Sequence, residues 1–185
     1  MVTVTELYDE RIPLEVVVDN KVHLAFHERQ DEEGHWLYDC VWLPFEENDK
    51  EASLLASAME KCLDDVKVYG NSSEGTDKFY LNGKQEWMDF ELRERVYAGN
   101  ERLKNLGRDM TTLWLGEDCF TLPIDTCQML ISKIEAYAKD CYNVTAQKME
   151  EVRNLTTLQE LVDYDVTSGY PEPISLAVDE DNTKS

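Results

Sequence analysis

Residues 110–123 have the sequence MTTLWLGEDCFTLP, which predicts two short strands joined by a turn. Leucine residues alternate with Trp114 in the first half, and apolar residues return in CFTL at 119–122, after the glycine-containing segment 116–118. A period of two on both sides of about three turn residues is typical of a β-hairpin. We therefore predict an antiparallel hairpin here.

A long amphipathic helix is predicted directly after the hairpin. Neither glycine nor proline interrupts residues 124–154, and apolar residues recur every three or four positions, as on one side of an α-helix. Asp125 is expected to be the N-cap. About 28 helical residues would extend about 42 Å. The apolar stripe consists of Cys127, Leu130, Ile131, Ile134, Tyr137, Ala138, Cys141 and Val144, and an extension would add Met149 and Val152.

Four segments carry a family resemblance: TLWLG at 112–116, FTLPID at 120–125, IEAYAKDCYNVTAQ at 134–147 and YDVTSGYP at 164–171. They resemble an uncharacterised domain family of tailed bacteriophages that is named after tail-fibre or fibre-assembly proteins. The resemblance covers residues 79–176 and does not extend to the N-terminal third. It implies a virion protein or a virion-assembly protein and no more specific function, because no catalytic motif defines the family.

The composition predicts a folded and strongly acidic protein. Hydrophobic residues make up 42% of the 185 residues, enough for a buried core, and 39 acidic against 18 basic residues give a net charge of −21. This charge repels nucleic acid and anionic membranes, so we expect neither as a partner and favour a soluble protein or one that docks on a basic protein surface. No apolar run approaches the roughly 18 residues of a membrane span.

The beginning of the chain and its cysteines predict synthesis in a reducing cytoplasm; the family resemblance implies that this is the cytoplasm of a bacterial host and that the protein is then found in a virion. MVTVTEL at 1–7 has neither the basic region nor the apolar core of a signal peptide. The five cysteines are odd in number and are not closely paired, which favours reduced thiols.

The N-terminal third is predicted to form a three-stranded antiparallel meander. Alternating apolar residues indicate strands at 14–18 and 22–26, followed by a third strand at 35–43. The third strand is apolar on both faces, with Trp36 and Trp42 on the same face, and such a strand is usually covered on both sides.

Three further helices are predicted from capping residues and apolar stripes. The first is capped by Asn48 and carries apolar residues along 54–66. The second extends over 89–106, is followed by a glycine and is expected to bury Leu106 with its other leucines. The third is short and begins with a capping box at 157–160.

These elements predict an α+β fold divided at a polar loop. The loop is rich in glycine, serine and asparagine and separates two regions of apolar periodicity. The predicted domains are a β-meander with a helix at 1–69 as a candidate docking module, a linker at 70–78, the phage fibre-associated domain at 79–176 and an acidic tail at 177–185.

No catalytic, cofactor or metal site is predicted. His23 and His27 would lie on one face of a strand, about 13 Å apart at about 3.3 Å per residue, which is too far for one zinc ion without other ligands. The cysteines lack the Cys-x-x-Cys spacing of zinc sites. Cys40 is the one thiol near the histidines, and a Cys–His hydrolase would need a third orienting group as well.

Two functions remain as hypotheses. The first is a non-enzymatic structural component of a bacteriophage virion, in a head or tail fibre or its attachment, which forms a homo-oligomer and docks on other virion proteins. The alternative is a soluble fibre-assembly chaperone that is absent from the mature particle. In both cases the candidate interface residues are Trp36, Trp42, Leu130, Ile134, Tyr137 and Cys141, because they lie on the two-faced strand or on the apolar stripe.

Overall fold

The computed structural model describes residues 4–18, 21–44, 50–72 and 78–178, and the predicted α+β class is confirmed. In chain order the elements of this part of the chain are β1 (Val4–Tyr8), β2 (Glu15–Val18), β3 (Lys21–Gln30), β4 (Trp36–Pro44), α1 (Lys50–Gly70), β5 (Lys78–Leu81), β6 (Lys84–Trp87), α2 (Phe90–Asn105), β7 (Met110–Leu115), β8 (Asp118–Pro123), α3 (Ile124–Arg153), α4 (Leu158–Val162) and β9 (Ser175–Leu176).

The chain divides into two compact units. Unit 1 comprises Met1–Lys67 and Gln147–Val166, and unit 2 comprises Val68–Ala146 and Thr167–Ser185. This differs from the predicted continuous domains at 1–69 and 79–176. The reason is that apolar residues near the end of α3 and on α4 pack in the core of unit 1. Part of the predicted linker, 73–77, lies outside the described residues.

Unit 1 contains a four-stranded antiparallel sheet in the order β1-β4-β3-β2. The three predicted strands are present, but the meander prediction missed β1, which pairs along the free edge of β4 with Glu6 opposite Tyr38. The sequence of β1, VTELY, does not alternate cleanly between apolar and polar residues, so its pairing with a strand about thirty residues away was not visible locally.

The core of unit 1 lies between one face of this sheet and α1. The predicted stripe at 54–66 is confirmed, and α1 continues to Gly70. The predicted cap Asn48 lies outside the described residues. The buried members of this core are Val22, Leu24, Phe26 and Val41 from the sheet, Leu54, Ala58, Cys62 and Val66 from α1, Val152 from α3 and Leu161 from α4.

α4 begins with the predicted capping box. The Thr157 hydroxyl accepts from the backbone N–H of Glu160 at 3.2 Å, and the Glu160 carboxylate accepts from the backbone N–H of Thr157 at 3.0 Å. Two backbone donors that a helix start leaves unsatisfied are thereby paired, which fixes the start of a very short helix.

Unit 2 is built around the predicted hairpin. β7 and β8 pair antiparallel with Leu113 opposite Phe120, and Leu113 and Leu115 are buried while Trp114 is exposed. Two residues connect the strands, one fewer than predicted, and Gly116 there has a φ of +57°, which glycine adopts without steric cost. The core formed with the hairpin includes Phe79, Leu81, Met88, Leu122, Cys127, Leu130, Ile131, Ile134, Leu176 and Val178.

A second small sheet in unit 2 has the order β6-β5-β9. Asn82 and Gly83 both have positive φ, +50° and +82°, as a tight two-residue hairpin turn requires. β9 was not predicted, and it pairs parallel to β5. The predicted acidic tail at 177–185 contains a packed residue, because Val178 is buried and its N–H donates to Asn82 Oδ1 at 2.9 Å. Residues 179–185 lie outside the described part.

The helices of unit 2 confirm most of the predicted bounds, with two corrections. Leu106 was expected to be buried but is 79% exposed, because it is the C-cap of α2 and lies beyond the last turn that packs on the core. Asp125 was expected to cap α3 but lies in its first turn, since the helix begins at Ile124. Its carboxylate accepts instead from Lys104 Nζ at 2.6 Å.

Candidate functional site

The apolar stripe of α3 is buried within the chain. Leu130, Ile134, Tyr137 and Cys141, predicted as interface residues, are each at most 5% exposed. Leu130 and Ile134 belong to the core around the hairpin of unit 2. These four side chains are therefore core residues, and a partner could contact them only if the fold opened. The prediction that they face a second chain was wrong, because all four are buried within a single copy of the chain and Leu130 and Ile134 pack in the core around the hairpin.

The two candidate tryptophans of unit 1 have different environments. Trp36 is half-buried against the small cluster of Ala25, Tyr38 and Cys40, and the Arg11 guanidinium lies 5.8 Å from its ring centre. Trp42 is 42% exposed and stacks on the buried His23 ring, with 4.5 Å between ring centres. Of the two, Trp42 has the accessible surface that a docking residue needs.

The outer face of β7 carries an exposed apolar ridge whose residues were not among the predicted interface residues. Met110, Thr112 and Trp114 alternate with the buried residues of the strand, and Met110 and Trp114 are 43% and 60% exposed. We name these three residues the hairpin ridge. Met110 and Trp114 expose apolar surface on the same face of one strand, and exposed apolar patches are more informative than single exposed residues. The alternation in the sequence was the signal that could have identified it.

The hairpin also has unpaired edges in the described part of the chain. β7 and β8 form a sheet of two strands, so each strand has one edge with backbone N–H and C=O groups that no neighbouring strand pairs. Unpaired edges are the surfaces to which an added strand binds. The hairpin ridge therefore lies on an element that can accept a further strand.

A cluster of ionisable side chains lies on the other face of the unit 1 sheet. Glu6 of β1, His23 of β3 and Cys40 of β4 place one carboxylate oxygen, one imidazole nitrogen and one thiol within 4.8 Å of one another. Cys40 is opposite Val4 on β1 and opposite Ala25 on β3. Glu6 and His23 are thus its diagonal neighbours on the two flanking strands, which brings their side chains together above β4.

His23 is the most enclosed member of this cluster. It is 2% exposed, and Nε2 lies 3.5 Å from Glu6 Oε2 without a hydrogen-bond partner among the described residues. The Glu6 carboxylate is oriented by the Tyr8 hydroxyl, which donates to it. A buried ring nitrogen without a partner is uncommon, because it has lost water without gaining another hydrogen bond.

Burial makes two groups beside His23 harder to deprotonate, the thiol of Cys40 and the hydroxyl of Tyr8. Desolvation is the main reason that the pKa of Cys40 rises to about 11, with the negative charges of Glu6 and Asp39 adding to it. Desolvation and the bond to Glu6 likewise raise the pKa of Tyr8. In the absence of a bound cation both groups keep their protons at neutral pH, so Cys40 alone is a poor nucleophile.

His27 is in a different environment from His23, which corrects the expectation that they share one face. A β-bulge between Phe26 and Arg29 interrupts the register, and His27 has a φ of +52° there. Its Nδ1 is 3.0 Å from Asp39 Oδ2, and its Nε2 is 3.8 Å from Asp65 Oδ2 on α1. The one extra residue of the bulge reverses the alternation on which the predicted 13 Å separation depended.

No family model, no curated protein and no solved structure matches this chain. The resemblance to phage fibre-associated domains therefore stays a prediction. Among the described residues, no helix combines the length and the apolar character that crossing a bilayer requires.

Proposed function

We propose that the protein is a non-enzymatic structural component of a bacteriophage virion, in a head or tail fibre or its attachment, which docks on another virion protein through the hairpin of unit 2. The observation that carries this proposal is the hairpin ridge on a strand with an open edge. The phage context comes from the sequence resemblance over 79–176, which includes the hairpin and most of α3.

The proposed partner is a basic protein surface that adds a strand to the hairpin. Backbone hydrogen bonds along the strand edge would provide affinity, and the Trp114 ring would fill an apolar pocket. A net charge of −21 favours a basic partner and opposes close approach of a second copy of the same chain. Homo-oligomerisation was predicted from the α3 stripe and is a second proposal. Because that stripe is buried, such an oligomer would have to form through exposed side chains.

Added salt separates the two kinds of association. Docking of this acidic chain on a basic partner should weaken as salt screens the attraction, whereas association between like-charged copies should strengthen. Light scattering of the isolated chain at low and high salt measures self-association directly. A stable oligomer at low salt would contradict the preference for a basic partner.

Variants of the hairpin ridge test the docking surface. Trp114→Ser should lower binding to the virion partner at least tenfold while leaving the melting temperature within a few degrees, because its ring contributes little to the core. Tyr142→Ser is the matched control, since Tyr142 is 70% exposed and lies on α3, outside the hairpin. Equal binding by the two variants would show that the hairpin ridge is not the docking surface.

The assembly-chaperone alternative uses the same surface and differs in its location. A fibre component is present in finished particles, whereas a chaperone that shields a partner's apolar surface leaves before maturation. Mass spectrometry of purified virions of the encoding phage distinguishes them. Detection at a stoichiometry comparable to other fibre proteins supports the structural role, and absence from the particle supports the chaperone.

A further inference from the structure

We propose that Glu6, His23 and Cys40 form a zinc-binding site on the unit 1 sheet. The three residues come from three different strands, and the fold brings a carboxylate, an imidazole and a thiol together within 4.8 Å. This site is independent of the hairpin ridge and of the proposed docking role.

The spacing of the three groups is close to what zinc requires. Tetrahedral zinc with nitrogen and oxygen ligands at about 2.0–2.2 Å and sulfur at about 2.3 Å separates its ligand atoms by about 3.3–3.7 Å. His23 Nε2 and Glu6 Oε2 are already 3.5 Å apart. None of the three atoms is more than 4.8 Å from another. Side-chain rotations that move these atoms by about 1 Å would therefore bring them to the separations of a tetrahedral zinc site.

The chemistry of the ligand set favours zinc over harder cations. A thiolate and an imidazole are ligands typical of zinc, whereas calcium and magnesium prefer oxygen ligands throughout. Binding would convert the Cys40 thiol to a thiolate, and its proton would go to solvent. Thiolate, carboxylate and neutral imidazole then carry a charge of about −2, which a divalent cation balances in a site with little access to water.

The surroundings of the cluster support a ligand role for His23. Its Nε2 is buried and lies 3.5 Å from Glu6 Oε2 without a hydrogen-bond partner among the described residues, and the neutral tautomer with its proton on Nδ1 would offer the lone pair of Nε2 to a metal. The Tyr8 hydroxyl donates to Glu6 Oε2, the same oxygen that lies 3.5 Å from His23 Nε2, and so orients the carboxylate toward the cluster. The Glu6 side chain is 29% exposed and that of His23 is 3% exposed, so water reaches the cluster only at its Glu6 edge.

Cobalt titration of the reduced, metal-free full-length chain tests the site. Co²⁺ replaces Zn²⁺ in such sites, and a thiolate ligand produces a charge-transfer absorption band in the near ultraviolet. We expect one equivalent of Co²⁺ to produce this band, and we expect Zn²⁺ to displace it and to raise the melting temperature. Absence of the band from the folded chain would overturn the proposal.

Matched variants identify the ligands. Cys40→Ala should abolish the band, whereas Cys62→Ala, which removes an equally buried thiol of the same unit, should retain it. His23→Ala should weaken binding at least tenfold, and His35→Ala should leave it unchanged. If the band persists in Cys40→Ala, the metal binds elsewhere and the proposal is wrong.

Glu6→Gln keeps the proposal testable if Cys40→Ala or His23→Ala does not fold. The substitution conserves volume at a partly exposed position, so folding should be retained. It should weaken Co²⁺ binding at least tenfold and remove the zinc-dependent rise in melting temperature. Unchanged affinity and an unchanged rise in the folded Glu6→Gln variant would exclude Glu6 as a ligand and overturn the three-ligand site.

Discussion

The sheet of unit 1 and the hairpin of unit 2 each use one face to form a core, and they differ in what the other face carries. In unit 1 the second face buries polar and ionisable groups, with His23 and Cys40 almost fully enclosed beside the partly exposed Trp42. In unit 2 the second face exposes apolar groups, with Trp114 more than half accessible. Buried polar groups and exposed large apolar groups are the informative exceptions to ordinary burial.

This difference suggests that the two units bind different things. Enclosed donors and acceptors can bind a small cation without any change at the surface, whereas an exposed aromatic ridge with an open strand edge suits a protein partner. Four sets of variants test which contacts stabilise each unit. They are ordered by the expected change in the free energy of unfolding, from the largest to the smallest.

Ile134→Ala should have the largest effect. Ile134 is 3% exposed in the core of unit 2, so its truncation should cost about 2–5 kcal/mol through lost burial and the cavity left behind. Met129→Ala on the same helix is the control, because Met129 is 50% exposed and should cost less than about 1 kcal/mol. Chemical denaturation measures both. Equal losses would contradict the assignment of the stripe to the core.

Asp65→Ala should have the next largest effect, through a buried charge in unit 1. Lys61 is 7% exposed, and its Nζ donates to Asp65 Oδ2 at 2.8 Å while lying 5.2 Å from the Phe26 ring centre. Removing the carboxylate leaves an ammonium group enclosed without its anion, which should cost about 1–3 kcal/mol because Asp65 itself is partly exposed.

Asp64→Ala is the matched control for this pair. Asp64 is the adjacent acidic residue on α1 and is exposed, so its removal should change the free energy of unfolding by less than about 0.5 kcal/mol. A loss in Asp64→Ala as large as that in Asp65→Ala would indicate a general charge effect on the helix instead of the Lys61 contact.

Thr157→Ala should cost about 1 kcal/mol by removing the N-cap of α4. Because Leu161 of α4 is in the core of unit 1, the loss should appear in the unfolding of that unit, which is followed by urea denaturation. Thr156→Ala is the control, since its hydroxyl is 3.5 Å from Glu160 Oε2 and does not cap the helix. If Thr157→Ala is as stable as the wild type, α4 does not contribute to the stability of unit 1.

The smallest effect should be a pH dependence from the Glu160 carboxylate. The backbone N–H of Thr156, then the hydroxyl and N–H of Thr157, hold the pKa of Glu160 below its usual 4.5. A lowered folded-state pKa means that this stabilisation is present above about pH 4.5 and is lost as the pH falls through the lowered value. The difference in melting temperature between wild type and Glu160→Gln should therefore shrink between pH 6 and pH 3. A constant difference would show that the carboxylate charge does not contribute.

Elements that depend on neighbouring residues were predictable from the sequence. The hairpin, the stripe of α3 and the capping box of α4 follow from side chains within a few positions of one another. Their boundaries were shifted by a residue or two at Asp125 and at the hairpin turn, because competing hydrogen bonds decide where a helix or strand ends.

Features that depend on distant pairing were not predictable in the same way. β1 and β9 are short, and each is recognisable only by the strand that it pairs with. The Glu6, His23 and Cys40 cluster depends on two strand registers at once, so no local motif marks it. The membership of 147–166 in unit 1 likewise depends on the packing of Val152 and Leu161.

The discontinuity of unit 1 has a consequence for synthesis on the ribosome. The sheet and α1 leave the ribosome first, but Val152 and Leu161, which complete their core, follow only after residues 68–146. At about 5–20 residues per second this interval lasts on the order of 4–16 s. During that time the apolar face of the nascent sheet lacks part of its cover, and Leu176 and Val178 complete the core of unit 2 later still. The core of unit 1 can therefore be complete only after Leu161 has been made, and the core of unit 2 only after Val178.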